Sequence, residues 1–276
     1  MTEVINILIT VDENYLEPAK VMLTSLHVNN PGQKFDVWLV HEKIADDKLQ
    51  EFAELLAEFK MILKPVKVPM ELFDNAPTVE RYPKEMYFRL ASGEILPESV
   101  KKVIYLDPDT LIINPLNSLW ELDLEGKMIA AATHSGLTNI AEGINNIRLG
   151  TDHGYYNSGI MLMDVDQMRS VVKLTDIMAA VEEFGETLLL PDQDILNFIY
   201  GKNIKEIPEE IWNYDTRQYN TYFARSLGEQ DTHWTAKNTA ILHFCGKPKP
   251  WSEKSNNRFT FIYANYQQIL ARHLEK

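Results

Sequence analysis

Four apolar residues followed at once by an acid–proline–acid turn, Val103–Asp109, constrain the fold of this chain more than any other segment. Four apolar positions in succession predict a strand covered on both faces, as in the parallel sheets of α/β proteins. Ligands of such sheets collect at the carboxyl ends of the strands. The proline fixes one backbone angle between the acids, so the turn is stiff. Two acids held in this way suit a hard divalent cation, which commonly works with phosphate.

Apolar strands alternate with amphipathic helices through the first half of the chain. This alternation predicts an α/β fold with a mainly parallel, doubly wound central sheet flanked by helices. The predicted strands are Val4–Val11, Phe35–His41, Met61–Val68, Lys102–Leu106, Lys127–Thr133, Gly154–Val165 and Thr239–Phe244. The predicted helices are Tyr15–Asn29, Asp46–Phe59, Met86–Leu96, Gln167–Phe184, Pro191–Gly201 (capped by Asp192) and Phe259–Leu274. With no internal repeat or linker, one compact domain is expected.

Charge and composition exclude several classes of protein. The net charge of −13 argues against nucleic-acid binding, which needs a basic surface. It leaves room for a small anionic ligand, because a few cations and a metal ion can reverse the field in one cleft. No apolar run approaches the ~20 residues that span a bilayer, and the amino terminus lacks the basic start of a signal peptide. The single cysteine, Cys245, excludes an internal disulfide and is typical of the cytoplasm.

Taken alone, the acid pair has two other interpretations. Aspartates are common at turns and helix caps, so the pair could be structural. Haloacid-dehalogenase-type phosphatases also place two aspartates after an apolar strand, followed by a threonine four residues past the first. Here that position is Leu111, and Thr110 comes one residue early. In those enzymes the pair also normally lies near the amino terminus. The phosphatase is therefore a minor alternative.

Six segments, in order and near the expected spacing, resemble glycosyltransferase family 8. These retaining enzymes include bacterial lipopolysaccharide galactosyl- and glucosyltransferases and glycogenin. The six segments are Ile9–Tyr15, Tyr87–Leu90, Tyr105–Asp109, Tyr156–Gly159, Asp192–Asn197 and His243–Trp251. The resemblance implies a GT-A-type fold, a UDP-hexose donor and Mn²⁺ or Mg²⁺ as cofactor. It also implies a saccharide or lipid-linked glycan as acceptor.

The resemblance assigns a role to each matching residue. It implies that Asp107, Asp109 and His243 hold the metal ion. An imidazole beside two carboxylates suits Mn²⁺ somewhat better than Mg²⁺. The implied donor-binding residues are Thr10, Asp12, Asn14 and Tyr15 at the nucleoside, Gly246 and Lys249 at the diphosphate, and Arg89, Pro108 and Asn157 near the metal and sugar. The implied catalytic residues are Gln193, Asp192 and Arg89.

Several of these residues have a structural alternative. Asp12 and Asp192 could cap helices, and both roles can coexist at Asp12. His243 could be a hydrogen-bonded structural residue, and Arg89 an ordinary charge on its predicted helix. Lys247 and Lys249 could both be charges of a basic loop in an acidic protein. The resemblance favours phosphate contact for Lys249 and does not decide the role of Lys247.

The resemblance also bears on mechanism and organisation. Gln193 is a poor nucleophile, which favours front-face substitution over double displacement, although Asp194 adjoins it. Within the single domain, about residues 1–110 form a nucleotide-binding half, about 111–251 a donor-sugar and acceptor half, and about 252–276 a carboxyl-terminal helix. We expect a cytoplasmic enzyme, at most peripherally bound at the inner face of the plasma membrane, with an undetermined oligomeric state. A non-catalytic UDP-sugar-binding protein is the alternative.

Overall fold

The computed structural model describes residues 3–68, 85–133, 146, 148–184 and 188–275. Ten strands are described in these ranges. They are β1 Ile5–Thr10, β2 Phe35–His41, β3 Met61–Lys67, β4 Lys102–Leu106, β5 Thr110–Ile112, β6 Ile129–Thr133, β7 Tyr156–Asp164, β8 Ile204–Glu206, β9 Tyr214–Asp215 and β10 Ile241–His243.

Twelve α-helices are described in the same ranges. They are α1 Leu16–Asn29, α2 Asp46–Glu58, α3 Glu85–Phe88, α4 Ser92–Ile95, α5 Asn117–Trp120, α6 Val165–Val171, α7 Leu174–Phe184, α8 Pro191–Ile195, α9 Glu209–Trp212, α10 Tyr219–Arg225, α11 Thr232–Asn238 and α12 Thr260–Leu274. A π-helical turn, Leu196–Tyr200, continues α8. No helix in the described part of the chain combines the length and the apolar character needed to cross a membrane.

Seven strands form a central sheet in the order β3-β2-β1-β4-β7-β6-β8. Strand β7 runs antiparallel to β4 and β6, and the other neighbours run parallel. The chain moves outward from β1 to β3 and then returns to place β4 on the other side of β1. The carboxyl ends of β1 and β4 therefore flank a topological switch point, where open α/β sheets bind their ligands.

The central sheet is packed on both faces. On one face, β1 and β4 direct Ile7 and Ile104 toward α1, α2 and α12; on the other, Leu8 and Tyr105 face α3, α6 and α7. Strands β5, β10 and β9 form a second, three-stranded sheet within the first of these layers. All four residues Val103–Leu106 are fully buried, which confirms the prediction from their apolar run.

The predicted α/β sheet is confirmed, and most element ends agree within two residues. Three helix predictions are wrong in detail. Met86–Leu96 is not one helix: α3 and α4 are separated by a turn at Arg89–Ala91. Its second half is held against α6, where a Cβ added at Gly93 would lie 2.7 Å from the backbone nitrogen of Arg169.

The other two corrections concern helices that change geometry midway. Gln167–Phe184 is divided into α6 and α7, with Val172 in extended conformation between them. Pro191–Gly201 begins as an α-helix and becomes π-helical at Leu196, where the Asn197 side chain bonds both to the preceding turn and to β7. This side chain bonds the Gln193 carbonyl and both backbone groups of Tyr156. Strands β5, β8 and β9 are additional to the predicted set.

Candidate functional site

Two carboxylates and one imidazole converge where the two sheets meet. Asp107 follows β4, Asp109 precedes β5, and His243 ends β10. Strands β5 and β10 pair antiparallel with Thr110 opposite His243, and the Phe244 amide donates to the Asp109 carbonyl over 2.9 Å. This pairing brings together residues that are distant in sequence. One ligand atom from each of the three side chains lies within 4.8 Å of the others.

The three side chains fit a divalent cation. His243 Nε2 lies 3.4 Å from Asp109 Oδ1 and 4.0 Å from Asp107 Oδ2, while its Nδ1 lies 2.8 Å from Asn213 Oδ1. A metal-binding histidine usually donates the proton of its other ring nitrogen to an oxygen of this kind, which fixes the ring orientation. Burial lowers the pKa of His243, but Cys245 and Asp109 outweigh it and the net pKa is raised. The two carboxylates that face His243 Nε2 favour a cation at this position.

Glycine at position 159 is what allows this close approach. Gly159 lies in β7, and its carbonyl accepts from the Asp107 amide over 2.8 Å. A Cβ added there would lie 2.4 Å from His243 Cε1 and 2.7 Å from Asp107 Oδ2. Any side chain at 159 would therefore force a candidate ligand, His243 or Asp107, or the strand itself to move.

A buried arginine and a half-buried lysine neutralise the acids. Arg89 Nη1 lies 2.9 Å from Asp107 Oδ1 and 3.5 Å from Asp192 Oδ2, and Lys249 Nζ donates to Asp109 Oδ2. Burial raises the pKa of Asp109, but His243 and Lys249 outweigh it and lower the net pKa, so the carboxylate stays ionised. Burial lowers the pKa of Arg89, and Asp107 more than compensates. The break between α3 and α4 places Arg89 at the site, buried rather than on a helix surface.

Tyr105 connects the first strand to the acid pair. Its hydroxyl donates to Asp107 Oδ1 over 2.6 Å and lies 3.1 Å from Thr10 Oγ1 at the end of β1. The Arg89 guanidinium lies 4.6 Å from the centre of its ring. Burial raises the pKa of Tyr105 well above 10, so the hydroxyl keeps its proton and remains a donor to Asp107. Thr10, a predicted donor-binding residue, thus contacts the metal cluster through Tyr105.

The outlet of β1 carries the other predicted nucleoside-binding residues. Asp12 Oδ1 accepts from the Tyr15 amide over 3.1 Å, so the predicted cap at Asp12 is confirmed; Oδ2 accepts from Asn14. The Tyr15 ring packs edge-on against Trp251 with 6.0 Å between centres. The Asp12 and Asn14 side chains are exposed, whereas Tyr15 is half-buried. The outlet of β1 therefore presents the exposed polar side chains of Asp12 and Asn14 together with the packed ring of Tyr15.

Three predicted sugar-site residues meet between β7 and α8. Asn157 Nδ2 donates to Gln193 Oε1 over 3.0 Å, and Ser158 Oγ donates to Asp192 Oδ2 over 2.8 Å. All four side chains are buried. Asp192 does not cap α8, because the N-cap residue is Leu190 and makes no side-chain cap bond. Its carboxylate instead faces Ser158 and Arg89, toward the metal cluster.

Asp194 is fully occupied by structural contacts. Its carboxylate accepts two hydrogen bonds from Arg148, at 2.8 and 2.6 Å, and one from the Tyr155 hydroxyl at 2.5 Å. The amides of Leu189 and Leu190 donate to it as well. The side chain is completely buried. Burial raises its pKa, but the bonds from Arg148 and Tyr155 outweigh burial and lower it. This carboxylate holds the start of α8 in place.

The Gly246–Lys249 segment follows His243 directly. Gly246 has φ +74°, a left-handed conformation that glycine adopts freely, and a Cβ there would lie 2.7 Å from Arg217 Nη1. Lys249 is half-buried and faces the acids, whereas Lys247 is exposed. Pro108 is buried between the two acids. Of the two lysines, the structure brings only Lys249 into the cluster.

Sequence reasoning missed Asn213, which contacts both His243 and Asn157. It also missed Ser158 and Tyr105 as individual contacts, although both lie within the six segments that resemble glycosyltransferase family 8. The only sequence signal for Asn213 is its place between Trp212 and Tyr214 in an aromatic-rich stretch, where an asparagine that becomes buried needs partners.

Comparison with known proteins gives a consistent result. A family model described as Glycosyl transferase family 8 matches residues 6–255. General stress protein A of Bacillus subtilis (strain 168) is 27% identical over 271 residues, covering 96% of this chain and 93% of the relative. A lipopolysaccharide 1,2-glucosyltransferase of Escherichia coli is 23% identical over 276 residues, covering 97% of this chain and 79% of the relative.

Solved structures share the fold. The galactosyltransferase LgtC, crystallised with donor and acceptor sugar analogues, superposes with a TM-score of 0.80 at 21% identity. The likeness covers 96% of each chain. The GT-A-type architecture expected from the sequence is therefore confirmed.

Proposed function

The chain belongs to glycosyltransferase family 8, and we propose that it transfers a hexose, galactose or glucose, from a UDP-sugar to a saccharide or glycan hydroxyl with retention of configuration. The observation that supports this most directly is the cluster of Asp107, Asp109 and His243 beside Arg89 and Asp192. Two acids, one imidazole and a buried arginine suit a diphosphate leaving group better than a neutral substrate.

Asp107, Asp109 and His243 would hold Mn²⁺ or Mg²⁺. When bound, such an ion supplies a Lewis acid that stabilises charge on departing UDP. Lys249 would exchange its contact with Asp109 for the diphosphate, and Gly246 lets the backbone approach the same group. Pro108 keeps the two acids at a constant separation.

The nucleoside would bind at the outlet of β1. Thr10, Asp12 and Asn14 supply polar groups there, and the half-buried ring of Tyr15 offers a surface on which a base can stack. Asp12 can accept from uracil N3–H with one oxygen while capping the turn with the other. Asn157 and Arg89 would face the sugar hydroxyls and the sugar phosphate.

We propose front-face substitution as the chemical step. The acceptor oxygen bonds to the anomeric carbon on the side from which UDP leaves. The bond from that carbon to the β-phosphate oxygen breaks, and the acceptor proton passes to a β-phosphate oxygen. Gln193, supported by the adjacent Asp192, would stabilise positive charge on the sugar through its carbonyl dipole. Asp194 is unsuited to act as nucleophile, since its carboxylate is buried and already accepts five hydrogen bonds.

A trapping experiment separates the two routes. Front-face substitution leaves no covalent sugar on the protein, so intact mass after incubation with UDP-hexose stays that of the free chain. A mass increase of one hexose that maps to Asp192, Gln193 or Asp194 would refute front-face substitution and support double displacement.

The function itself is tested by UDP release. Purified protein is incubated with UDP-galactose or UDP-glucose in Mn²⁺, Mg²⁺ or excess chelator, with and without saccharide acceptors. We expect release in Mn²⁺ that chelator and Asp109→Asn both suppress. Binding of UDP-sugars without turnover of any donor supports the non-catalytic alternative. Phosphate release from phosphomonoesters in Mg²⁺ that survives His243→Ala supports the phosphatase.

We further propose the organisation expected from the sequence. About residues 1–110 bind the nucleotide, about 111–251 bind the donor sugar and acceptor, and about 252–276 form the carboxyl-terminal helix. A lipid-linked glycan acceptor is supported by relatives named lipopolysaccharide glucosyltransferases. Such an acceptor would place the cytoplasmic enzyme at the inner face of the plasma membrane. The net charge of −13 argues against a nucleic-acid partner.

A further inference from the structure

A chain of buried side-chain amides connects the metal cluster to the sugar site. His243 Nδ1 lies 2.8 Å from Asn213 Oδ1, and Asn213 Nδ2 donates to Asn157 Oδ1 over 2.8 Å. Asn157 Nδ2 then donates to Gln193 Oε1 over 3.0 Å. These four residues come from β10, the segment after α9, β7 and α8. We call this series, His243–Asn213–Asn157–Gln193, the amide chain.

One backbone group determines the direction of the whole chain. The Gly159 amide can only donate, and it donates to Asn157 Oδ1 over 2.9 Å. The oxygen of Asn157 must therefore face Gly159 and Asn213, and its nitrogen must face Gln193. Asn213 must then present its nitrogen to Asn157 and its oxygen to His243. Turning Asn157 over would place its nitrogen against the Gly159 amide, donor against donor, and turning Asn213 over would place its oxygen against the Asn157 oxygen, acceptor against acceptor.

The direction of the chain selects the form of His243. Because Asn213 Oδ1 can only accept, His243 Nδ1 must carry a proton. In the neutral ring, the lone pair is then on Nε2, the nitrogen that faces Asp107 and Asp109. The opposite orientation of Asn213 would favour a proton on Nε2, which cannot bind a metal ion. Asn213 thus selects the tautomer that the metal cluster requires.

Burial makes the amide chain rigid. Asn213 is 3% exposed, Gln193 and His243 are each 4% exposed, and Asn157 is 7% exposed. Buried polar groups depend on their protein partners, since water cannot readily replace a lost hydrogen bond. A change at Asn213 should therefore affect both ends of the chain: the affinity of His243 for metal and the placement of Gln193.

We propose that Asn213 is a positioning residue that couples the metal centre to Gln193. The Gly159 amide sets the direction of the hydrogen bonds in the amide chain. This deepens the proposed function and rests on it, since metal binding and sugar transfer are the two properties coupled. Asn213 acts through its neighbours, holding the Nδ1 proton of His243 on one side and, through Asn157, the carbonyl of Gln193 on the other.

Two substitutions at one position should differ in their effect on Mn²⁺ affinity. Asn213→Leu removes both the donor and the acceptor, so we expect Mn²⁺ affinity to fall about tenfold or more. Asn213→Asp keeps an acceptor for the His243 Nδ1 proton but loses the donor to Asn157. We therefore expect it to keep wild-type Mn²⁺ affinity within about threefold. Affinity is measured by electron paramagnetic resonance of free Mn²⁺, without donor or acceptor.

At the sugar end both substitutions act alike. Each removes the donor to Asn157, so we expect the kcat of UDP release to fall about tenfold or more in both variants at saturating Mn²⁺, with little change in KM for the UDP-hexose. Asn30→Leu is the matched control. Asn30 is a buried asparagine bonded to the Leu26 carbonyl and the Leu116 amide, at the carboxyl end of α1, the end away from Tyr15. It should lower stability and leave Mn²⁺ affinity unchanged.

Equal Mn²⁺ affinity in Asn213→Leu and wild type, or equal losses in the Leu and Asp variants, would overturn the proposal. A measurement on the wild-type protein keeps the proposal testable if the variants fold poorly. In ¹⁵N-histidine-labelled wild type with Mg²⁺, we expect the His243 proton on Nδ1; a proton on Nε2 overturns the proposal. Absence of UDP release by wild type would refute the proposed function alone, because metal affinity and the His243 tautomer are read without turnover.

Discussion

At the scale of single residues, the site depends on how little space surrounds the candidate metal ligands. His243 and Asp107 both lie against the position where Gly159 lacks a side chain. Arg89 and Lys249 fill the other sides of the acids. Since close-packed groups of this kind cannot shift independently, the smallest added volume should be felt at the metal.

Gly159→Ala tests this crowding. Its Cβ would lie 2.4 Å from His243 Cε1, so one ligand must move or the strand must bend. Overpacking of this kind costs about 1–3 kcal/mol in stability. We expect Mn²⁺ affinity to fall at least about tenfold, since a moved ligand can no longer complete the cluster, and UDP release to be lost; calorimetric titration and the release assay measure these effects.

Gly126→Ala is the control for this substitution. Gly126 has a positive φ, +77°, which Gly159 does not, and no atom of the described residues lies within 4 Å of an added Cβ. The left-handed backbone costs about 1–2 kcal/mol, and Mn²⁺ affinity should stay at the wild-type value. Wild-type affinity in folded Gly159→Ala would show that the ligands do not bind metal in the arrangement described.

The two lysines after Gly246 provide a second test. Lys249 is bonded to Asp109 and the Phe244 carbonyl inside the site, and Lys247 is exposed. A hydrogen bond to a charged group contributes about 1.5–3 kcal/mol. Lys249→Ala should therefore lower kcat/KM for UDP-hexose about 10- to 100-fold, whereas Lys247→Ala should change it less than about twofold. Equal effects of the two substitutions would contradict the assignment of the diphosphate to Lys249.

Residues within motifs could be predicted from sequence, and residues that support them could not. The six segments that resemble the family include Asp107, Asp109 and His243, and the structure brings these three residues together. Asn213 belongs to none, and its partners lie 30 and 56 positions away in the chain. The burial of Arg89 at the site was also unpredictable, because it depends on the turn that separates α3 from α4.

At the scale of elements, strand ends carry groups whose protonation stabilises or weakens the local turn. His41 ends β2 and is 3% exposed, and its Nδ1 accepts from the Ile44 amide over 3.0 Å. An amide can only donate, so Nδ1 must be unprotonated in the folded protein. Burial lowers the pKa of His41, Lys67 lowers it further, and Asp46 partly opposes them.

This depressed pKa predicts a loss of stability in acid. The unfolded chain takes up the proton at its ordinary pKa of about 6.5, before the folded protein does. The contribution of His41 is therefore complete above pH ~6.5 and decreases as the pH falls, by at most about 1.4 kcal/mol per pH unit. Urea unfolding at pH 7.5 and 5.5 measures the change.

His41→Asn keeps an acceptor without a titrating group, so its stability should fall less between the two pH values. Some dependence should remain, because burial also lowers the pKa of His27. His233→Asn, at an exposed position, is the control substitution and should behave as wild type. The same pH dependence in His41→Asn and wild type would contradict the role of the His41–Ile44 bond.

Long elements with a clear apolar period were predictable, whereas short ones were not. The strands β1 to β4 and the helices α1, α2 and α12 agree with their predictions. Strand β5 has three residues, and its partner β10 comes far later in the chain. No local period can indicate such a strand. The π-helical turn after α8 likewise depends on Asn197 bonding to Tyr156 in β7, a contact between distant segments.

At the scale of the whole molecule, the candidate metal site joins the two sheets. Asp107 leaves β4 of the central sheet, and Asp109 and His243 belong to the ends of β5 and β10 in the smaller sheet. The amide chain extends this connection to β7 and α8. A ligand bound to all three side chains therefore holds together parts of the fold that are otherwise connected by packing and a few hydrogen bonds.

Such a ligand should stabilise the protein as a whole. A ligand that binds only the native state at 100 times its dissociation constant contributes about 2.7 kcal/mol. For a chain of this size that corresponds to a rise in Tm on the order of 5 °C. We expect this rise in scanning calorimetry with Mn²⁺ and UDP together. Chelator should abolish most of it, because the diphosphate then loses its cation and meets Asp107 and Asp109 directly. Asp109→Asn should also reduce it, since one metal ligand is weakened while the nucleoside contacts remain. An equal rise with UDP in chelator would mean that UDP binds away from the acid pair, which would contradict the metal-bridged donor site.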